Sequence, residues 1–339
     1  MERKTPGIDL AGLTAWLAGL FPDRPVQEPQ VRLIAGGRSN LTYEIVHNGR
    51  SMVLRRPPLG HVLATAHDML REYTVLTALA PTPVPVPDTL AYCGDETVIG
   101  APFYLMAKVD GVVYRDAASL RRLDPTAGQA LGAALADTLA ALHTVVPDDV
   151  GLGDFGRPEG FLDRQIRRWR KQLAASWTRD LPGAEELAER LAKALPHSGR
   201  PAVVHGDFRL DNALVDPDSH RIAAVLDWEM ATLGDPLTDL GLTCVYWDGL
   251  DELNESTPPS PGGLPGWPSR ADLVERYAAA SGVAVGNLDW YVAFAYFKLA
   301  VILEGIHARY RQGLTVGEGF SHVGDVVPEL FARGHRTLD

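Results

Sequence analysis

Residues 203–236 read VVHGDFRLDNALVDPDSHRIAAVLDWEMATLGDP and carry six aspartates, at 207, 211, 216, 218, 227 and 235. A carboxylate is costly in an apolar core unless it is paired. The acids therefore either decorate turns or converge on a cation. Two strand-like runs, NALVD and RIAAVLD, are joined by PDSH, a good turn. Folded as an antiparallel hairpin, they bring Asn212 and Asp227 to one end, beside the loop holding His205, Asp207 and Arg209, and leave Asp216 and Asp218 at the turn end. Asp207, Asn212 and Asp227 are hard oxygen donors and suit Mg2+. Any one of them could be ordinary loop chemistry. The joint pattern is H-x-D, an Asn five residues after the Asp, a hairpin, and an Asp ending a strand. It matches what phosphoryl transfer requires: one Asp takes the hydroxyl proton, while the Asn and second Asp hold Mg2+ against nucleotide phosphates.

Such a site needs a phosphate-covering loop, a cation on a strand and a helix carboxylate to hold that cation. AGGRSN, residues 35–40, lies between two strand-like runs, and Gly36 and Gly37 allow backbone to approach phosphate closely. A Walker loop is excluded, because the sequence contains no Gly-Lys pair. Glu72 shares a helical stripe with Met69, Val75, Leu76 and Leu79, the apolar face of a helix over 66–80. A carboxylate directed there calls for a cationic partner. The third strand offers no lysine; its cation is Arg55, on the same face as Val53 by alternation. Arg55 could pair with Glu72 and touch phosphates, as a planar fork rather than a point charge. The plainer reading makes Arg55 and Arg56 edge charges.

The elements that must position these residues fall into two groups. Residues 31–57 read as three strands, with Asn48-Gly49 marking a tight hairpin. A stiff PTPVPVP connector at 81–87 and two more strand-like runs, around TLAYCG and PFYLMAKV, follow the 66–80 helix. Beyond Val112 the chain turns helical, at 127–143, 160–179, 184–195, 271–281 and 288–312, with a Pro/Gly/Ser loop at 251–269. The expectation is α+β and bilobal: a small β-rich lobe over 1–106, a hinge at 107–111 and a larger, mostly helical lobe over 112–339.

The 339 residues carry a formal net charge of -11, which argues against a nucleic-acid partner. Cys93 and Cys244 are far apart in no CxxC pattern, as expected of a cytoplasmic protein without a zinc site. The opening MERKTPGIDLAGLTAWLAGLF reads as an amphipathic helix rather than a leader, and Lys298 and Glu304 interrupt the apolar run 290–306, so no membrane span is expected.

With HGDFRLDN at 205–212, LDWE at 226–229, GDPLTDL at 234–240, REYTVLTAL at 71–79 and FYLMAKVDG at 103–111, the chain resembles the aminoglycoside phosphotransferase family, a branch of the protein-kinase-like fold. GGRSN, VLRRPP and a late helix ending in Arg309 make it most similar to the subgroup sometimes fused to acyl-CoA dehydrogenases. The resemblance covers roughly residues 31–312. It implies a kinase that moves the γ-phosphoryl of ATP, or GTP, to a hydroxyl of a small metabolite or acyl thioester. Asp207 would be the base or hydroxyl-orienting group, with His205 and Arg209 in its loop; Asn212 and Asp227 would coordinate Mg2+; Asp239 would tie the loop down. Nucleotide contacts would come from Gly36, Gly37, Ser39, Asn40, Val53, Arg55, Glu72 and Met106, with the backbone of Ala107 to Val109 on the adenine. Arg55 stands where many relatives have lysine, and the alternative is a weak or inactive nucleotide-binding module. The basic run RQIRRWRK and Arg309 lean toward an anionic acceptor, with Trp169, Trp177, Tyr246, Trp247 and Tyr296 as candidate pocket walls.

Overall fold

The structure is a computed structural model that describes residues 5–34, 40–59, 67–250, 260–314 and 320–339. The chain divides into two compact units, Met1–Asp110 with Ala223–Glu229, and Gly111–Ile222 with Met230–Asp339. The segment carrying Asp227 thus belongs to the first unit, although it lies deep in the second half of the sequence.

The first unit is built on a five-stranded antiparallel sheet. Its strands are β1 (Gln30–Leu33), β2 (Leu41–His47), β3 (Arg50–Arg56), β4 (Thr89–Cys93) and β5 (Phe103–Ala107), in the order β1-β2-β3-β5-β4. Asn48 and Gly49 take positive φ, 50° and 73°, and close the β2–β3 hairpin. Strand alternation then sorts the side chains. Tyr43 and Ile45 of β2, Met52 and Leu54 of β3, and Phe103 and Leu105 of β5 bury themselves on one face, together with Leu13 and Leu17 of α1 (Leu10–Leu20). Val53 and Arg55 point to the other face, where Val53 is the cross-strand partner of Met106, and Arg55 of Tyr104. That face is met by α2 (Met69–Leu79), which Asp68 caps by accepting from the Arg71 N–H. The apolar stripe of α2 is Met69, Val75, Leu76 and Leu79, and Glu72 lies buried within it.

The second unit is mostly helical. It contains α3 (Ala117–Leu120), α4 (Pro125–Thr144), α5 (Phe161–Ser176) and α6 (Ala184–Lys193), then the short strands β6 (Ala202–Val204) and β7 (Ala213–Val215). β8 (Ile222–Val225) begins here and runs into the first unit; β9 (Thr232–Gly234) pairs antiparallel with β6. Four helices complete the unit: α7 (Leu237–Asp248), α8 (Arg270–Ser281), α9 (Leu288–Arg311) and α10 (Val327–Leu338). The central helix α9 packs on α5, α7 and α10. It is long and apolar enough to cross a membrane, yet 67% of its most apolar stretch is buried in the unit. Its two interrupting charges are both engaged. Glu304 is fully buried and takes Arg179 in a fork, with Nη2 at 2.5 Å. Lys298 is described below.

Besides the short α3, two helices were not legible in the sequence. GDPLTDLGLTCVYWD mixes glycines and buried polar residues with apolar ones, yet it forms α7, which is buried on nearly every side. α10 lies past the point where the helical reading stopped. Of the Pro/Gly/Ser loop expected at 251–269, residues 251–259 lie outside the described part of the chain.

Candidate functional site

In the second unit the HGD loop leaves β6 at Val204 and turns sharply at Gly206, whose φ is +84°. A Cβ there would meet the Met230 Cβ at 2.8 Å and its carbonyl oxygen at 2.9 Å, so glycine is required on both counts. The loop is tied from beneath by Asp239, at the start of α7. Its carboxylate accepts the His205 N–H at 2.6 Å and the Gly206 N–H at 2.8 Å. His143 lies 3.4 Å from the same carboxylate and shares a 2.7 Å hydrogen bond with the Tyr277 hydroxyl. Burial opposes ionisation of Asp239, but the hydrogen bond and charge of His143 and the contacts to His205 outweigh it, and its pKa falls below the ordinary carboxylate value. His205 is fully buried and accepts the Asp207 N–H at its Nδ1, 3.2 Å away.

The Asp207 carboxylate is surrounded by donors. Asn212 Nδ2 donates to the Asp207 carbonyl and to Oδ2, each at 2.9 Å. Both N–H groups are thereby turned to Asp207, which directs the Asn212 carbonyl oxygen away. Arg209 Nε lies 3.2 Å from Asp207 Oδ2 and 3.2 Å from Asp211 Oδ1, and its guanidinium sits over the Tyr246 ring at 5.0 Å. Desolvation raises the Asp211 pKa, against the pull of Arg209.

Lys298 was missed in the sequence except as a break in an apolar run. Its ammonium donates to the Gly206 carbonyl at 2.5 Å and lies 5.8 Å from the Trp169 ring centre. Desolvation lowers its pKa, the charges of Asp207 and Asp239 oppose that, and Arg168 adds to it. The available signal was one lysine among thirteen mostly apolar residues of α9, a position where a solvated charge has no reason to be.

Asp216 and Asp218 are turn residues. Asp216 Oδ1 accepts the N–H groups of Asp218 and Ser219 at 2.9 Å each, which lowers its pKa.

In the first unit Arg55 Nε lies 2.8 Å from Glu72 Oε2, and Nη2 reaches Asp227 Oδ1 at 2.5 Å. Arg55 is thus no edge charge, and neither is Arg56, which is 5% exposed and donates to backbone carbonyls of Gly7, Ile99 and Pro57. Tyr104 donates to Glu72 Oε2 at 3.0 Å, and Asn40 Nδ2 donates to Glu72 Oε1 at 2.9 Å and to Glu229 Oε2 at 3.1 Å. Asn40 is 1% exposed, so its side chain is committed to carboxylates rather than turned toward a phosphate. Asp227 has a φ of +65°, a left-handed conformation that costs a non-glycine residue on the order of 1 kcal/mol. Three carboxylates, Glu72, Asp227 and Glu229, gather near one guanidinium. Burial, reinforced by the other two carboxylates and opposed by Arg55, pushes Glu72 up to about 7. Burial acts against the Arg55 charge, but the surrounding carboxylates prevail and raise its pKa.

Val53 and Met106 are 7% and 8% exposed and lie side by side on adjacent strands. The Ala107 N–H is taken by the Asp88 carbonyl at 2.8 Å. Gly36, Gly37 and Ser39 lie outside the described residues. Among the described residues no three His, Cys, Asp or Glu side chains are grouped to hold a metal.

The candidate acceptor walls separate. Tyr246 and Trp247 border a small cavity, together with Arg209, Asp211, Leu210 and Pro261. Trp169 is buried under Lys298, Tyr296 is buried, and Trp177 is exposed. In the basic run on α5, Arg167 pairs with Asp163, Arg170 with Glu185, and Arg164 donates to the carbonyls of Arg157 and Glu159. Arg309 is exposed on α9.

The model of the phosphotransferase enzyme family matches residues 30–294. Acyl-CoA dehydrogenase family member 11 of Gallus gallus is 38% identical over 320 residues, 93% of this chain but only 41% of that protein's length. A crystal structure from Ralstonia eutropha, described provisionally as an aminoglycoside phosphotransferase, is 33% identical with a TM-score of 0.85, covering 97% of this chain and 98% of that one. A thermostable aminoglycoside phosphotransferase solved with AMP-PNP and hygromycin B has a TM-score of 0.59 at 16% identity, covering 96% and 98%. That last likeness concerns the fold alone, which is α+β with an antiparallel sheet in one unit and a helical second unit.

Proposed function

We propose that this chain, which belongs to the phosphotransferase enzyme family, transfers the γ-phosphoryl group of ATP to a hydroxyl group of a small molecule, with Mg2+ as the accompanying metal. The observation that carries this reading is the Asp207–Asn212 arrangement. One amide spends both N–H groups on the backbone and carboxylate of Asp207. It thereby orients that carboxylate and keeps its own carbonyl oxygen for a cation.

The donor chemistry fits Mg2+. Asn212 offers a hard amide oxygen and Asp227 a carboxylate, and around Arg55 the carboxylates of Glu72, Asp227 and Glu229 outnumber its one guanidinium, a local excess of negative charge that favours a divalent cation. We assign Asn212 and Asp227 to the metal. Bound Mg2+ would neutralise charge on the nucleotide phosphates. The remaining work falls to the protein. Arg55 would contact phosphate, Val53 and Met106 would pack against the base, and Ala107 would use its carbonyl, since its N–H is occupied within the sheet. Asp207 would orient the acceptor hydroxyl and take its proton, while His205, Asp239 and Lys298 hold the loop. AMP-PNP in a protein of the same fold supports ATP as donor. For the acceptor, the reading goes no further than a hydroxyl on a small metabolite or acyl thioester, the classes that the screen below separates.

The test is an ATP- and GTP-consumption screen over alcohols, amino alcohols, sugars and hydroxyacyl thioesters. Acceptor-dependent ATP turnover that disappears in Asp207→Asn is expected. Asp227→Ala should lose Mg2+-dependent ATP binding, read by thermal shift; unchanged binding would remove Asp227 from the metal.

A further inference from the structure

Among the charges of the first unit stands a buried carboxamide, Asn40, immediately before β2. Its two acceptors come from different elements. Glu72 belongs to α2, and Glu229 lies two residues past Asp227 in the turn that follows β8. A carboxamide nitrogen carries two N–H groups and no net charge, so it bridges two carboxylates without altering the charge balance. A hydroxyl would satisfy only one of them, and an ammonium would cancel negative charge. The flipped amide would set Oδ1 against both acids, so the contacts fix its orientation.

This bridge has consequences for Arg55. Asn40 holds Glu72 by Oε1, while Tyr104 and Arg55 share Oε2. With Glu72 held at both oxygens, the Arg55 fork has one remaining direction, and its Nη2 meets Asp227. The second contact of Asn40 restrains the chain just beyond Asp227, where the backbone passes through its left-handed residue.

We propose that Asn40 is a positioning residue for the nucleotide site, tying Glu229 to Glu72 so that the Asp227 carboxylate and the Arg55 guanidinium are held in place for a divalent cation and its phosphates. The inference rests on reading this cluster as the nucleotide and metal site. Asn40 acts through the acids it bridges and need not touch the nucleotide.

The experiment is calorimetric titration of Mg·ATP into wild type, Asn40→Asp, Asn40→Ser and the double variant Asn40→Asp with Glu229→Gln, with a melting curve for each. Asn40→Asp removes both donors and adds an anion, and should weaken Mg·ATP binding at least about tenfold. Asn40→Ser keeps one donor and should fall between that variant and wild type. The double variant exchanges the amide and the acid, restores one amide–carboxylate pair with the wild-type net charge, and should recover most of the affinity. Asn40→Asp or Asn40→Ser binding within twofold of wild type overturns the role. So does a double variant that regains melting temperature but not affinity. Wild type that fails to bind Mg·ATP overturns the nucleotide reading itself, and the role with it; a wild type that binds beside variants that bind equally overturns Asn40 alone.

Discussion

The two units treat their functional carboxylates in opposite ways. In the first, Glu72, Asp227 and Glu229 crowd around one guanidinium, and burial pushes Glu72 up to about 7. In the second, Asp207 shares Arg209 with Asp211 and has the Asn212 amide on another side and the Lys298 charge nearby. One arrangement is under-neutralised and the other well compensated. A surplus of fixed negative charge suits a region that must attract a cation, whereas a carboxylate held by several donors suits a region that must keep one acid still. The same contrast appears in the backbone. Asp227 sits in a left-handed conformation, while the strain near Asp207 is carried by Gly206, which bears it without cost.

The sharpest break of this contrast is Asp207→Asn. It keeps the shape and removes the acceptor of the proton, and turnover should fall on the order of 10²–10⁴-fold while Mg·ATP binding is retained. Single-turnover assays beside calorimetry would separate the two quantities. Lys298→Met comes next. The variant keeps the apolar length of the side chain but loses the bond to the Gly206 carbonyl, so the loop is free to shift, and kcat should drop on the order of 10²-fold with little change in KM for ATP. A normal kcat would show that Lys298 only fills space.

The smallest effect concerns pH. The Glu72 pKa is raised above its unfolded value. Its stabilising contribution is therefore complete below the unfolded value near 4.5 and is lost as pH rises through about 7. In the nucleotide-free protein the melting temperature should decline across that window, and Glu72→Gln should flatten the decline. A parallel pH profile in the variant would mean that the excess negative charge is relieved elsewhere.

Much of the fold was legible because local rules were obeyed. The Asn48-Gly49 hairpin, the alternation in β2 and β3, and the α2 stripe can each be read within a short window. So can the pairing of Glu72 with Arg55, since an acid on an apolar stripe requires a cation and only one strand residue of the right parity supplied it. α7 escaped because tertiary packing overrode a sequence with glycines, an Asp and no clear stripe; Gly241 approaches the Tyr291 backbone so closely that a Cβ would lie 2.6 Å from it. The contacts of the run RQIRRWRK escaped for the converse reason: Asp163, Glu185 and the carbonyls that meet its arginines belong to no pattern the run itself displays.

The sequence by itself determined the types of the reacting groups, their spacing along the HGD loop and the hairpin after it, and the strand and helix that carry Arg55 and Glu72. Periodicity and turn chemistry are local, and they survive without knowledge of distant residues. Tertiary structure alone decided that Lys298, 92 residues beyond Gly206, grips the loop carbonyl, that Asp239 receives its amides, and that Asn40 spans two acids 157 residues apart. Those contacts join residues with no common period, and only the folded packing of β2, α2 and α9 gives their few hydrogen bonds a direction.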